Sequence, residues 1–246
     1  MLTVDIEKLV IAPGQTCLDV GCGEGRHTLA VYLLDGVLSI GVDVSERDLA
    51  TAKGRVVDMR PHAPGGAVGF AAGDATALPM ADETIDVVIA SEILEHIYNY
   101  LSVLEEAMRV LKPGGRLCVS VPRQWPEWVC WQLSEGYRKT PGGHIRIFDS
   151  THLRREIEQQ GFTYVGGGSA HALHVPYWWL KCLFWQREQE PRVVRAYHKL
   201  LVWDLMRRPW LTRMFDAVFN PILGKSIVLY FVKPLPDGAT LQGAVT

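Results

Sequence analysis

Short apolar runs, rich in β-branched residues, alternate with stretches of helical periodicity through the first half of the chain. The runs predict strands at Cys17–Val20, Leu38–Val42, Ala67–Ala71, Ile85–Ala90 and Arg116–Val121. Helical patterns fill the intervals at His27–Leu34, Glu46–Val57 and Tyr100–Leu111. Ser45 is placed to cap the second helix, with Asp48 in its first turn, where an acid suits the helix dipole. Such alternation predicts a parallel sheet with helices on both faces, and unbroken apolar strands fit burial on both sides. Pro61–Gly66 reads as a loop, and Lys112-Pro113-Gly114-Gly115 as a sharp turn into the fifth strand. Thr151–Gln160 follows as a helix closed by Gly161, then strands at Phe162–Val165 and Ser226–Lys233. The tail 234–246 has little to bury and is expected to fray.

Two segments break the alternation. Pro122–Ser150 holds Trp125, Trp128 and Trp131 between Gly-rich turns, and Ala170–Lys225 is mostly helical with aromatic and basic residues interleaved. All eight tryptophans lie at or beyond Trp125. The segment 170–225 carries nine Lys and Arg against four acids; from a total of -2, the rest of the chain is left at -7. That total argues against a nucleic-acid partner. At 246 residues the chain suits one large core. No apolar run reaches the roughly 18 residues of a membrane span, and Met1–Val10 lacks a signal-peptide stretch. Five cysteines, an odd number, do not read as a disulfide framework. A cytoplasmic protein is expected.

The sharpest chemical signal is LDVGCGEGR at Leu18–Arg26, between the first strand and the first helix. Glycines at 21, 23 and 25 permit tight turning and close approach of backbone to a ligand. A dinucleotide fingerprint begun at Gly21 requires glycine where Arg26 stands. Asp19 and Glu24 would also repel a pyrophosphate and suit a cationic ligand. Asp43 closes the second strand, about 20 residues beyond the glycines, where a carboxylate can accept both ribose hydroxyls of a nucleoside. Asp74 follows the third strand, where it or a neighbouring amide can read an adenine edge. Each acid alone also suits a helix cap or a turn. Three at successive strand ends favour a nucleoside site.

With DVVIASEILEHI and LKPGGRLCVSVP added, the chain resembles the class I S-adenosylmethionine-dependent methyltransferases, in the small-molecule branch called type 11. The resemblance covers Thr16 to about Val165. It implies an α/β, Rossmann-like seven-stranded mixed sheet whose last strands are antiparallel. It further implies that Asp19, Gly21, Gly23 and Gly25 flank the methionine part of the cofactor, that Asp43 holds the ribose, and that Val44 also contacts the cofactor. Asp74 and Ala75 would meet the adenine, and Ser91 would lie beside the sulfonium. The organisation expected is a cofactor-binding core at 1–121, a lid segment at 122–150 and a core continuation at 151–169. A helical aromatic and basic insertion at 170–225 forms a cap, before the last core strand at 226–233 and the tail at 234–246.

Methyl transfer from a sulfonium is an in-line displacement, and a hydroxyl acceptor must also lose its proton to a base or be acidified by a metal. Glu92, Glu95 and His96 share one face if SEILEHI turns as a helix, and could hold Mg²⁺ or Mn²⁺. The pattern E-x-x-E-H resembles quinone-biosynthesis O-methyltransferases of this branch, some of which use a divalent metal. His144, in GGHIRIF, is the candidate base; this motif resembles the acceptor-site loop of many type 11 enzymes. Arg146, His27, Trp125 and Tyr137 are candidate substrate-lining residues, the aromatics as a stacking wall or as the core of a lid. The aromatic cluster from Tyr177 to Trp185 and the basic residues beyond it suit a lid, a substrate wall, a homodimer interface or a peripheral membrane contact.

The reading is an O-methyltransferase acting on a small molecule, with a sugar or polysaccharide preferred. An isoprenoid quinone or lipid acceptor is the alternative. A methyltransferase-like binding module is the non-enzyme rival, and a nicotinamide oxidoreductase is disfavoured by Arg26.

Overall fold

The computed structural model describes residues 2–59, 62, 65–187, 189–207 and 209–236. Expectations for most of the loop at 61–66, for the charges of Glu188 and Arg208, and for the tail from 237 onward lie outside the described residues.

Seven strands form one sheet: β1 (Thr16–Val20), β2 (Leu38–Asp43), β3 (Ala67–Ala72), β4 (Ile85–Ser91), β5 (Leu111–Pro122), β6 (Thr163–Ala170) and β7 (Ser226–Val232). Their order is β3-β2-β1-β4-β5-β7-β6. The first five are parallel, and β7 runs antiparallel to both β5 and β6. The helices α1 (Arg26–Tyr32), α2 (Glu46–Met59) and α3 (Tyr100–Val110) supply three of the four crossovers, and Ser45 Oγ accepts the Asp48 N–H at 3.3 Å. One apolar core, built on Leu18, Val88, Leu104, Leu117 and Phe231, covers one face of the sheet. A second, built on Cys17, Val31, Ile89 and Tyr230, covers the other. The strand order reverses between β1 and β4, the switch point outside whose carboxyl ends open α/β sheets bind ligands. All five cysteines are buried free thiols.

Three differences from the sequence reading matter. β6 continues through Gly166-Gly167-Gly168 to Ala170 instead of stopping at Val165, because its partner β7 offers a full row of ladder groups. β5 begins at Leu111, so the expected turn at 112–115 is absorbed into an irregular first part of the strand. The segment 122–150 is substantially helical, with α4 (Gln124–Leu133) and α5 (Glu135–Arg138). Beyond them, α6 (Ser150–Gln159) starts on Asp149, whose side chain accepts the His152 N–H. The cap consists of α7 (Val175–Leu183), α8 (Arg192–Arg207) and α9 (Trp210–Leu223), gathered on Leu173, Tyr177, Val194 and Leu201.

Candidate active site

The turn after β1 is locked to β2. Gly21 and Cys22 donate to the Val42 carbonyl at 2.8 and 3.1 Å, and Gly23 N–H donates to Asp43 Oδ2 at 2.8 Å. Asp43 Oδ1 accepts from Ser45 N–H at 2.8 Å, which leaves further lone pairs for hydroxyl donors. Gly21 requires its lack of a side chain twice over: its φ is +69°, and a Cβ would overlap the Ile93 side chain. Asp19 is buried, and its Oδ2 accepts from Thr28 N–H at 2.9 Å and Thr28 Oγ1 at 2.7 Å. It therefore ties α1 to β1, and burial pushes its carboxyl up to about 6. Asp74 is exposed; Thr76 donates its N–H and hydroxyl to Asp74 Oδ1, both at 2.8 Å, which holds the carboxyl below its usual range. Ala75 is buried beside it, and Val44 is 74% exposed after β2.

Ser91 ends β4 with its hydroxyl 2.8 Å from that of Ser120 on β5, and Ser120 donates to Glu92 Oε1 at 3.2 Å. Glu92 has a left-handed backbone, φ +54°, and its Oε2 lies 3.9 Å from Lys225 Nζ. The expected single helical face of Glu92, Glu95 and His96 is thus corrected. Glu92 turns the chain at the end of β4, and only Leu94–His96 forms a short 3-10 turn.

His144 takes the place that Glu92 was expected to fill. Glu95, His96 and His144 each offer one ligand atom, all within 4.8 Å of one another. Two backbone ties draw the loop to the turn: Ile145 N–H donates to the Glu95 carbonyl at 3.0 Å, and His96 Nδ1 lies 3.2 Å from the Gly143 carbonyl. His144 Nδ1 lies 2.7 Å from Glu127 Oε1. Both imidazoles therefore carry the proton on Nδ1, an assignment made from these acceptors, and both Nε2 atoms stand 4.0 Å from Glu95 Oε1. Glu95 is fully buried and neither carboxyl oxygen has a hydrogen-bond partner. Burial, with Glu92 nearby, holds its carboxyl well above the usual carboxylate range. Burial lowers His96, and His144 adds to the effect.

Glu127 was not singled out in the sequence. It sits on α4, 4% exposed, accepting from Trp131 Nε1 at 3.1 Å and Tyr137 Oη at 3.0 Å as well as from His144. Burial alone would raise its carboxyl, but the hydrogen bond from His144, with Lys225 and Tyr137, brings it below the usual range. An acid spaced i, i+4 from a tryptophan in an apolar helix was the available signal. Lys225, His171 and His174 were also missed. Lys225 lies 5.5 Å over the Trp178 ring, and both histidines bury an unpartnered Nε2, with burial pushing them down to about 3 and about 4.

The substrate-lining expectations fare unevenly. Tyr137 reaches the centre as a donor to Glu127, with its ring 6.3 Å from that of His144. Trp125 packs 5.6 Å from Trp179 and donates to the Ile222 carbonyl at 3.0 Å, so it fastens α4 to the end of α9. Arg146 donates to the Tyr98 carbonyl at 2.8 Å and lies 4.6 Å over the Tyr100 ring, which makes it a clasp of the loop. His27 is a correction. It is buried, and its Nε2 lies 3.3 Å from Thr3 N and 3.4 Å from Val4 N, so it anchors the first residues instead of lining a site.

Residues 18–119 match the family described as a methyltransferase domain. The 27-O-demethylrifamycin SV methyltransferase of Amycolatopsis mediterranei is 36% identical over 115 residues, 45% of this chain and 40% of that protein. The demethylmenaquinone methyltransferase of Corynebacterium glutamicum is 28% identical over 179 residues, 65% of this chain and 73% of that protein. A solved S-adenosylmethionine-dependent methyltransferase from Methanosarcina mazei superposes with a TM-score of 0.62 at 16% identity, covering 96% of this chain and all of that one, a likeness of fold. The chain spans about half or less of the length of several curated relatives it matches.

Proposed function

We propose that residues 18–119 form a class I, S-adenosylmethionine-dependent methyltransferase domain and that the chain methylates a hydroxyl of a small molecule, a reading supported by the family match, the similar enzymes and the shared fold. A sugar or polysaccharide is the preferred acceptor, for the oxygen-seeking groups around His144 and the aromatic cap beside them. The observation that carries the reading is the Glu127–His144 pair at 2.7 Å, at the carboxyl edge of the sheet. A hydroxyl is a weak nucleophile until its proton leaves. Glu127 fixes the His144 ring through Nδ1–H, so Nε2 keeps the lone pair that accepts that proton. The acceptor oxygen then forms its bond to the methyl carbon, the carbon–sulfur bond breaks, and its electron pair stays on sulfur in S-adenosylhomocysteine. Asp43 would hold the ribose with Val44 beside it in the cofactor pocket, Asp19 and the Gly21–Gly25 turn would flank the methionine part, Asp74 and Ala75 would meet the adenine, and Ser91 would stand beside the sulfonium. Holding the reactants in line supplies several kcal/mol of the barrier reduction.

Glu95, His96 and His144 also fit a divalent cation, because the Glu95 oxygens are buried without partners and both imidazoles have their outer nitrogens tied. Two nitrogens and one carboxylate suit Mn²⁺ better than Mg²⁺. Such an ion would supply Lewis acidity to a bound hydroxyl. It would occupy the Nε2 lone pair, so the roles of base and ligand exclude each other, and chelation separates them.

The test is an acceptor screen with S-adenosylmethionine, followed by His144→Ala. Turnover is expected to fall about 10²–10⁴-fold with cofactor affinity unchanged in calorimetry. Unchanged turnover removes His144 as base, and loss of activity in EDTA that Mn²⁺ restores assigns it to the metal. Absence of cofactor binding would favour the binding-module reading. A lipid or isoprenoid quinone acceptor is the second reading, favoured by the outward apolar faces of α8 and α9 and by the similarity to the demethylmenaquinone enzyme.

A further inference from the structure

The amphipathic pattern of α9 is turned inside out. Thr212, Asp216 and Asn220, spaced i, i+4 and i+8, form its polar stripe, and that stripe faces the protein. Thr212 donates to the Pro209 carbonyl at 2.9 Å, Asp216 Oδ1 accepts from Leu173 N–H at 3.0 Å, and Asn220 Oδ1 accepts from Ala172 N–H at 2.8 Å. The apolar side faces away: Trp210 is 69% exposed, Met214 52%, Val218 61% and Ile222 70%, with Leu211 and Phe219 beside them. The last turns of α8 repeat the inversion. Asp204 is buried there, whereas Trp203 and Met206 are exposed. A surface helix in water normally does the reverse. An apolar stripe of this length marks a surface that another apolar phase covers.

Charge identifies that phase. Arg192, Arg195, Lys199, Arg207 and Arg213 are exposed on the two helices, and their acids, Asp204 and Asp216, point inward. The outer surface is therefore apolar and cationic. A second copy would bring five positive charges against five, whereas an anionic bilayer complements both properties. Among the described residues no helix is long and apolar enough to cross a membrane, so contact is confined to the interface.

We propose that α9 and the end of α8 dock the protein onto the surface of an anionic lipid bilayer, with the Trp210–Ile222 stripe sunk among the acyl chains and the arginines at the headgroups. The site at the sheet edge would then take an acceptor delivered at the membrane. The docking stands whether or not the methyl-transfer reading holds, since the test requires no turnover.

The experiment is co-sedimentation of the full chain with phosphatidylcholine vesicles, with and without phosphatidylglycerol. Binding is expected only with phosphatidylglycerol, weakening with salt, with a blue shift of tryptophan emission. Arg213→Glu is expected to weaken it more than about fivefold, and Met214→Ser/Val218→Ser/Ile222→Ser more than tenfold, each with unchanged melting. A wild-type chain that stays in the supernatant with anionic vesicles overturns the proposal. So does light scattering that shows a dimer which the triple serine variant converts to monomer, because the stripe is then a homodimer interface.

Discussion

Replacing His27 by Gln should flatten the acid side of the stability profile. The imidazole is buried at the start of α1, with Nε2 facing the backbone N–H groups of Thr3 and Val4, a use that requires the neutral form. Burial, assisted by the charge of Arg26, pushes it down to about 3 from an ordinary 6.5. A depressed folded value means the contribution is complete above about pH 6.5 and is lost as pH falls toward 3, because the unfolded chain takes up the proton first. Between pH 7 and pH 5 the loss is about 1.5 pK units, or ~2 kcal/mol. For a chain of 246 residues that corresponds to roughly 4–8 °C in melting temperature. His171 and His174 are depressed in the same direction, so wild type alone does not isolate His27. The difference between wild type and His27→Gln does. Gln keeps an acceptor for the same N–H groups but does not titrate, so the melting gap in favour of wild type should shrink by about 4–8 °C from pH 7 to pH 5 in scanning calorimetry. Parallel curves for the two proteins across that range would refute the reasoning.

Asp19→Asn should act with the opposite sign. A carboxyl raised to about 6 contributes stability below its unfolded value of 3.8 and loses it as pH rises through 6, so the amide is expected to melt higher at pH 8 and level with wild type near pH 4. The gain at pH 8 is up to ~3 kcal/mol, and a variant that melts lower at both pH values would contradict it. Gly21→Ala should cost about 2–4 kcal/mol from its left-handed backbone and the clash with Ile93, seen as a lower melting temperature and weakened cofactor binding by calorimetry.

Much of the proposed cofactor side is legible in the chain because its constraints are local. A strand end, a glycine turn and a helix start lie within nine residues at Leu18–Arg26, and the glycine spacing alone separates this turn from a dinucleotide fingerprint. Asp43 and Asp74 follow from the strands that precede them. The proposed acceptor side is different. Glu95, Glu127 and His144 come from three separate segments, and only the stacking of α4 and the loop at 139–149 over the edge of the sheet brings them together. Glu127 passes for one more polar residue in a helix until its burial against Trp131, Tyr137 and His144 is seen. Glu92 stands apart from the Glu95–His96–His144 group, with a positive φ and its carboxylate directed toward Ser120 and Lys225.

The insertion divides in the same way. Its aromatic and basic content is a matter of composition, readable without a fold. Which stripe of α9 meets the protein depends on the carboxylate of Asp216 and the amide of Asn220 finding the free N–H groups of Leu173 and Ala172. Sequence alone therefore determined the sheet and the glycine turn, since backbone sterics and hydrogen bonding act over a few neighbouring residues. Tertiary structure decided the Glu127–His144 pair and the outward apolar face, since both depend on packing between segments far apart in the chain.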